Sequence, residues 1–158
     1  MKFLFSSMLA LLFAVSPLCA QSSSEALPPV FKLGDHEAAF EGAKQKYSQT
    51  LLEVSGYDTK AAFSNWMEMM KAMDNYAQKV KYDINGVKLW LHVFWGANGQ
   101  IAHMGYLLRP DSRNVEEVEL AAFLKSFMNK YTFPATSSRP FSHYTGANFP
   151  VFSQRVEN

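Results

Sequence analysis

Between Gly86 and Pro134 the chain alternates, turns, alternates again and then changes period. From Val87 to Trp95, the residues Val87, Leu89, Leu91, Val93 and Trp95 share one face of a strand. Lys88, Trp90, His92 and Phe94 share the other. Gly96-Ala97-Asn98-Gly99 supplies the positive φ that a tight turn requires. Gln100–Leu108 then returns, with Ile101, His103, Gly105 and Leu107 on one face and Ala102, Met104, Tyr106 and Leu108 on the other. This predicts a β-hairpin apolar on both sides, so one face packs on helices and the other is at least partly covered.

Past the hairpin the spacing lengthens. Leu120, Phe123, Leu124, Phe127, Met128 and Tyr131 recur at helical steps and predict a helix over Val115–Tyr131, stopped by Pro134. Asn114 stands where a cap belongs, with Glu117 three residues on to complete a capping box. Glu116, Glu117 and Glu119 early and Lys125 and Lys130 late suit the helix dipole. After the loop Ala135–Pro140 an aromatic tail, Phe141–Phe152, reads as a last strand. Its Pro150 cannot donate to a ladder, so the strand is bulged or lies at an edge.

Upstream, two helical patterns precede the hairpin. Phe40, Ala43, Tyr47 and Leu51 mark one from Asp35, its capping residue, to about Gly56. Ala62, Phe63, Trp66, Met70, Met73, Ala77 and Val80 mark a second, from Asp58 or Thr59 to Val80, broadened by Met67 and Met69. A methionine-rich helix can be an adaptable binding surface or can fill an irregular gap between helix and sheet, and Trp66 within the run favours the gap filler. The expected order is α-α-β-β-α-β. The expected fold is a single α+β domain over 34–158, a small antiparallel sheet packed by helices with two additional N-terminal helices.

The first twenty residues stand apart from that domain. Lys2, the apolar run Phe3–Val15, the break at Ser16-Pro17 and the small residue Ala20 predict a cleaved secretory signal over 1–20. The run is short for a membrane anchor, so no stable membrane insertion is expected after cleavage. Lipidation at Cys19 is the alternative, opposed by bulky Leu18 where a small residue is wanted. Residues 21–33, with Ser22, Ser23, Ser24 and Leu27-Pro28-Pro29, predict a short tether. Export to the periplasm or the exterior follows. Cleavage would remove the single cysteine, leaving no disulfide, thiol nucleophile or thiolate metal site. It would also remove Lys2 and leave basic and acidic residues equal in number. With no basic stripe, nucleic acid is a poor partner.

Candidate chemistry is sparse. His36, His92, His103 and His143 include one cross-strand pair, His92 and His103, which a small change in the turn would bring onto one face. No HxxxH, HxH or His-carboxylate spacing adds a third ligand, so no metal site and no cofactor is expected. The acidic groups at helix starts are explained by capping and dipole, and no nucleophile elbow, phosphate loop or dinucleotide fingerprint occurs. A non-enzymatic protein is therefore expected. The remaining signal is aromatic. Trp90, Phe94, Tyr106, Phe141, Tyr144, Phe149 and Phe152 form a binding surface if the sheet is open and a core if helices cover it. The candidate partner-binding set is Trp90, Phe94, Tyr106, Tyr144, Phe149 and Phe152.

Over Gly86–Phe152 the order of signals resembles the C-terminal domain of TonB-type energy transducers. Gly86 opens an alternating strand, Ala97-Asn98-Gly99 turns it, and the return strand ends in the polar Arg109–Asn114. A helix with Ala121 and Ala122 follows, then Phe133-Pro134-Ala135, a loop, and Phe149-Pro150-Val151-Phe152. The family's uncleaved anchor, its proline-rich spacer and the tyrosine–proline pair before its first strand have no counterpart here. The resemblance implies a periplasmic binding module that recognises an envelope protein or extended peptide by strand addition, without energy transduction. The alternative is a small periplasmic ligand-binding or hydrolytic protein of cystatin-like or NTF2-like fold, which would enclose a pocket.

Overall fold

The structure is a computed structural model that describes residues 26–135 and 137–151. The segment expected to be a signal, with Cys19, the first residues of the expected tether, and Phe152 lie outside the described residues. Over the described residues the fold is mixed α+β: four helices and one open five-stranded sheet. In chain order the elements are β1 (Val30–Lys32), α1 (Glu37–Lys46), β2 (Gln49–Thr50), α2 (Leu51–Val54), α3 (Thr59–Val80), β3 (Lys88–Trp95), β4 (Ile101–Leu108), α4 (Glu117–Met128) and β5 (Phe141–Asn148). The sheet order is β1-β4-β3-β5-β2. Its three long central strands are antiparallel, and the two short outer strands join them in parallel.

The hairpin forms as its pattern predicts. The Gly99 amide donates to the Gly96 carbonyl (2.9 Å), the Gly96 amide donates to Gln100 (2.9 Å), and Gly99 takes φ 79°. A Cβ on Gly99 would stand 2.6 Å from the Phe133 carbonyl oxygen, so glycine is required there for space as well as for φ. A bulge between Phe94 and Trp95 pairs Trp95 with Ile101 and Phe94 with His103. Ile101 therefore joins Met104 and Tyr106 on one face, correcting the simple alternation from Ile101 to Leu107.

On that face lies the main core, closed by α3 and α4. Leu89, Leu91, Val93 and Trp95 meet Met69, Met73 and Ala77 of α3 and Leu120, Leu124 and Phe127 of α4. Each fully buried side chain of this size contributes about 1.5–3 kcal/mol. On the opposite face Phe40 and Ala43 of α1, with Tyr47 at its end and Phe31 of β1, cover Phe94 and its surroundings. Gly105 lets β1 lie close here, since a Cβ on it would meet Phe31 and Leu33 atoms at 2.7 Å.

Four local expectations need correction. Val30–Lys32 is not tether but β1, paired with Met104–Tyr106, because Pro29 and Leu33 both bond to the outer side of β4. The first helix breaks at Tyr47: Gln49–Thr50 extends to pair with Phe141 and Ser142, and Thr50 begins α2 with a capping box to Glu53. That cap competes with helix continuation at the same residues. The helix start is at His36, in the left-handed region with no side-chain cap, rather than at Asp35. Helix α4 starts at Glu117, with Glu116 rather than Asn114 at the cap position and no capping box, and the Glu117 carboxylate accepts from Lys32 of β1 at 2.8 Å. Asp58 does cap α3, accepting from the amides of Lys60 (2.8 Å) and Ala61 (3.1 Å).

Pro150 lies beyond the end of β5, so the strand needs no bulge. The main chain of Phe149 continues the ladder to Gly86 and Val87, and Val151 is anchored by its amide on the Asp74 carboxylate of α3 (3.0 Å). Among the described residues no helix is long and apolar enough to cross a membrane.

Candidate binding edge

The predicted aromatic set does not form one surface. Phe94 is buried beneath α1, and Tyr106 and Phe149 are buried on the helix side of the sheet. Phe152 lies outside the described residues. Trp90 and Tyr144 do come together on the face that α1 leaves uncovered, 39% and 52% exposed, with ring centroids 6.0 Å apart. The Arg109 guanidinium lies 5.5 Å from the Trp90 ring centre and donates to Asn148 Oδ1 at 3.2 Å. Beside Tyr144 a depression of about 340 Å³ is bounded by Leu33, Phe40, Lys44 and His92.

His92 and His103 share this face, as the bulge dictates, yet they form no pair. Phe94 stands between them, stacked on His92 at 4.1 Å, and His103 Nδ1 lies 3.0 Å from the Pro28 carbonyl oxygen. Among the described residues no three His, Cys, Asp or Glu side chains are grouped to hold a metal. Burial, with Lys44 and His143 adding repulsion, lowers the His92 pKa to about 4. His143, against Trp66 at 4.9 Å, is also shifted down by burial.

The feature that a strand-by-strand reading misses is the outer side of β5. Strand β3 pairs with β5 along its whole length, from Lys88 with Asn148 to Trp95 with Phe141. Among the described residues the other side of β5 is paired only at Phe141 and Ser142, by β2. At the end of the ladder Phe149 donates to Val87, while Lys88 accepts from Arg109 on the β4 side. Antiparallel alternation then directs the main-chain groups of Thr145 and Ala147 toward β3. Those of Tyr144, Gly146 and Asn148 point outward.

Helix α3 runs beside this edge. Between them lies a depression of about 420 Å³ bounded by Leu52, Phe63, Trp66, Met67, His143 and Thr145. It adjoins one of about 130 Å³ along Met70, Ala147, Asn148 and Val151, and Trp66, Met67 and Gly146 line both. Phe63, expected in the core, is 64% exposed at its rim. The methionine run on α3 was the available sequence signal. Met69, Met70 and Met73 do fill the core, whereas Met67 faces the groove. A separate polar cleft is lined by Lys81, Asp83, Arg113 and Glu119, where Arg113 donates to the Asn85 carbonyl (2.7 Å) and pairs with Asp83 (3.4 Å).

The chain matches no family model, no curated protein and no solved structure.

Proposed function

We propose that this is an exported binding module that takes an extended segment of an envelope protein onto the outer side of β5. The observation that carries the reading is the outer side of residues 143–148, which no strand among the described residues pairs, beside an apolar groove. Outward main-chain groups at alternate residues are a template for another strand, and exposed edges of this kind are otherwise blunted by charge, proline or cover. The groove supplies what main-chain pairing lacks, a place for side chains. Strand addition is also the mode implied by the resemblance of Gly86–Phe152 to TonB-type C-terminal domains, and the signal-like first twenty residues support a partner in the envelope.

The test is a cross-linking pull-down from an envelope extract with the tagged chain and with Gly146→Pro. Proline removes one outward amide and is tolerated on an edge. A protein captured by the parent chain and lost with the variant supports the reading. Capture unchanged by the variant, or none above control, contradicts it.

A further inference from the structure

We infer that the segment taken by this edge carries uncharged, apolar side chains at every second position, and that these enter the groove between β5 and α3. The inference rests on the strand-addition reading and adds the chemistry of the partner. Laterally paired residues in a sheet share a face. Partner residues opposite His143, Thr145 and Ala147 therefore point to the helix side, where Phe63, Trp66 and Met67 wait. Among the described residues no Asp, Glu, Lys or Arg lines either depression there. A charged side chain would lose its water without gaining a counter-charge.

The other alternate set faces a different environment. Partner residues opposite Tyr144, Gly146 and Asn148 point to the uncovered face, beside exposed Tyr144 and Trp90. Lys44 and Arg109 stand on that side, each already held by an acid, Glu41 at 2.6 Å and Asp111 at 3.2 Å. Water reaches these positions, so charge is tolerated there. The edge thus reads a two-residue period. Six residues, 143–148, set the length at about 20 Å of extended chain.

The experiment selects a randomised seven-residue peptide display library on the full chain and on Gly146→Pro. Enriched peptides that bind the parent and not the proline variant are then synthesised with Asp at each position in turn. The inference predicts a loss of about tenfold or more at one alternate set and about threefold or less at the other. Equal losses at both sets, or none, overturn the inference and leave strand addition standing. Peptides that bind Gly146→Pro as well as the parent, or no enrichment at all, sink the strand-addition reading and the inference with it. Met67→Lys gives a second reading should the proline variant fail to fold. It places a cation in the groove, so Asp at the apolar positions should recover at least part of its loss, and no recovery counts against the groove as their site.

Discussion

Replacing His92 by phenylalanine should flatten the dependence of stability on pH between 7 and 5. His92 is 9% exposed and is enclosed by Phe94 at 4.1 Å, Phe40 at 5.5 Å and Tyr144 at 5.5 Å. Burial first, then Lys44 and His143, lowers its pKa from 6.5 to about 4. The sign follows from proton binding. Between these values the unfolded chain binds a proton that the folded chain refuses, so acidification favours unfolding. Stability present above the unfolded pKa is lost as pH falls toward the folded one. From pH 7 to pH 5 this group costs the fold about 2 kcal/mol, since one proton of difference in binding is worth about 1.4 kcal/mol for each step of one in pH. Glu53, Asp83 and Asp111, whose carboxyls are held below their ordinary values in the fold, are the same in both proteins and cancel in the comparison. His143 acts in the same direction and remains in both proteins, so the comparison isolates His92. Urea unfolding of parent and His92→Phe at both pH values measures the difference. A variant that loses as much stability as the parent over this interval refutes the placement of a buried, neutral imidazole beneath α1.

Two further changes test the frame that positions the edge. Gly99→Ala should destabilise by about 1–3 kcal/mol, from the left-handed backbone and the approach to the Phe133 carbonyl, read as a lowered urea midpoint; an unchanged midpoint would contradict the turn geometry. Asp74→Ala, which removes the acceptor for the Val151 amide in a buried site, should cost about 1–3 kcal/mol and speed amide exchange at Val151, and slow exchange there in the variant would show the anchor to be misplaced.

The α+β class and the central hairpin were legible because their signals are local. The period of two from Val87 to Trp95 and the turn at Asn98-Gly99 each act within a few residues, as does the Asp58 cap. The short outer strands were not legible. Val30–Lys32 and Gln49–Thr50 are extended because β4 and β5 offer partners more than 70 residues away, and nothing in their own sequence marks them. The same limit hid the broken first helix, whose stripe Phe40, Ala43, Tyr47 and Leu51 is split between the second face of the sheet and the main core. For the candidate site, Trp90 and Tyr144 lie together in the open, while Phe94, Tyr106 and Phe149 are buried. Aromatic content cannot say which side of a sheet a helix will cover. The open side of β5 depends on strand order, which only tertiary pairing decides.

Residue-resolved amide hydrogen exchange on the unliganded chain tests the central claim most directly. The account predicts alternation along β5: slow exchange at Thr145 and Ala147, whose amides face β3, and fast exchange at Tyr144, Gly146 and Asn148, whose amides face outward. Uniform protection from 143 to 148 would show that the chain itself fills this edge, and would contradict a strand-accepting site there.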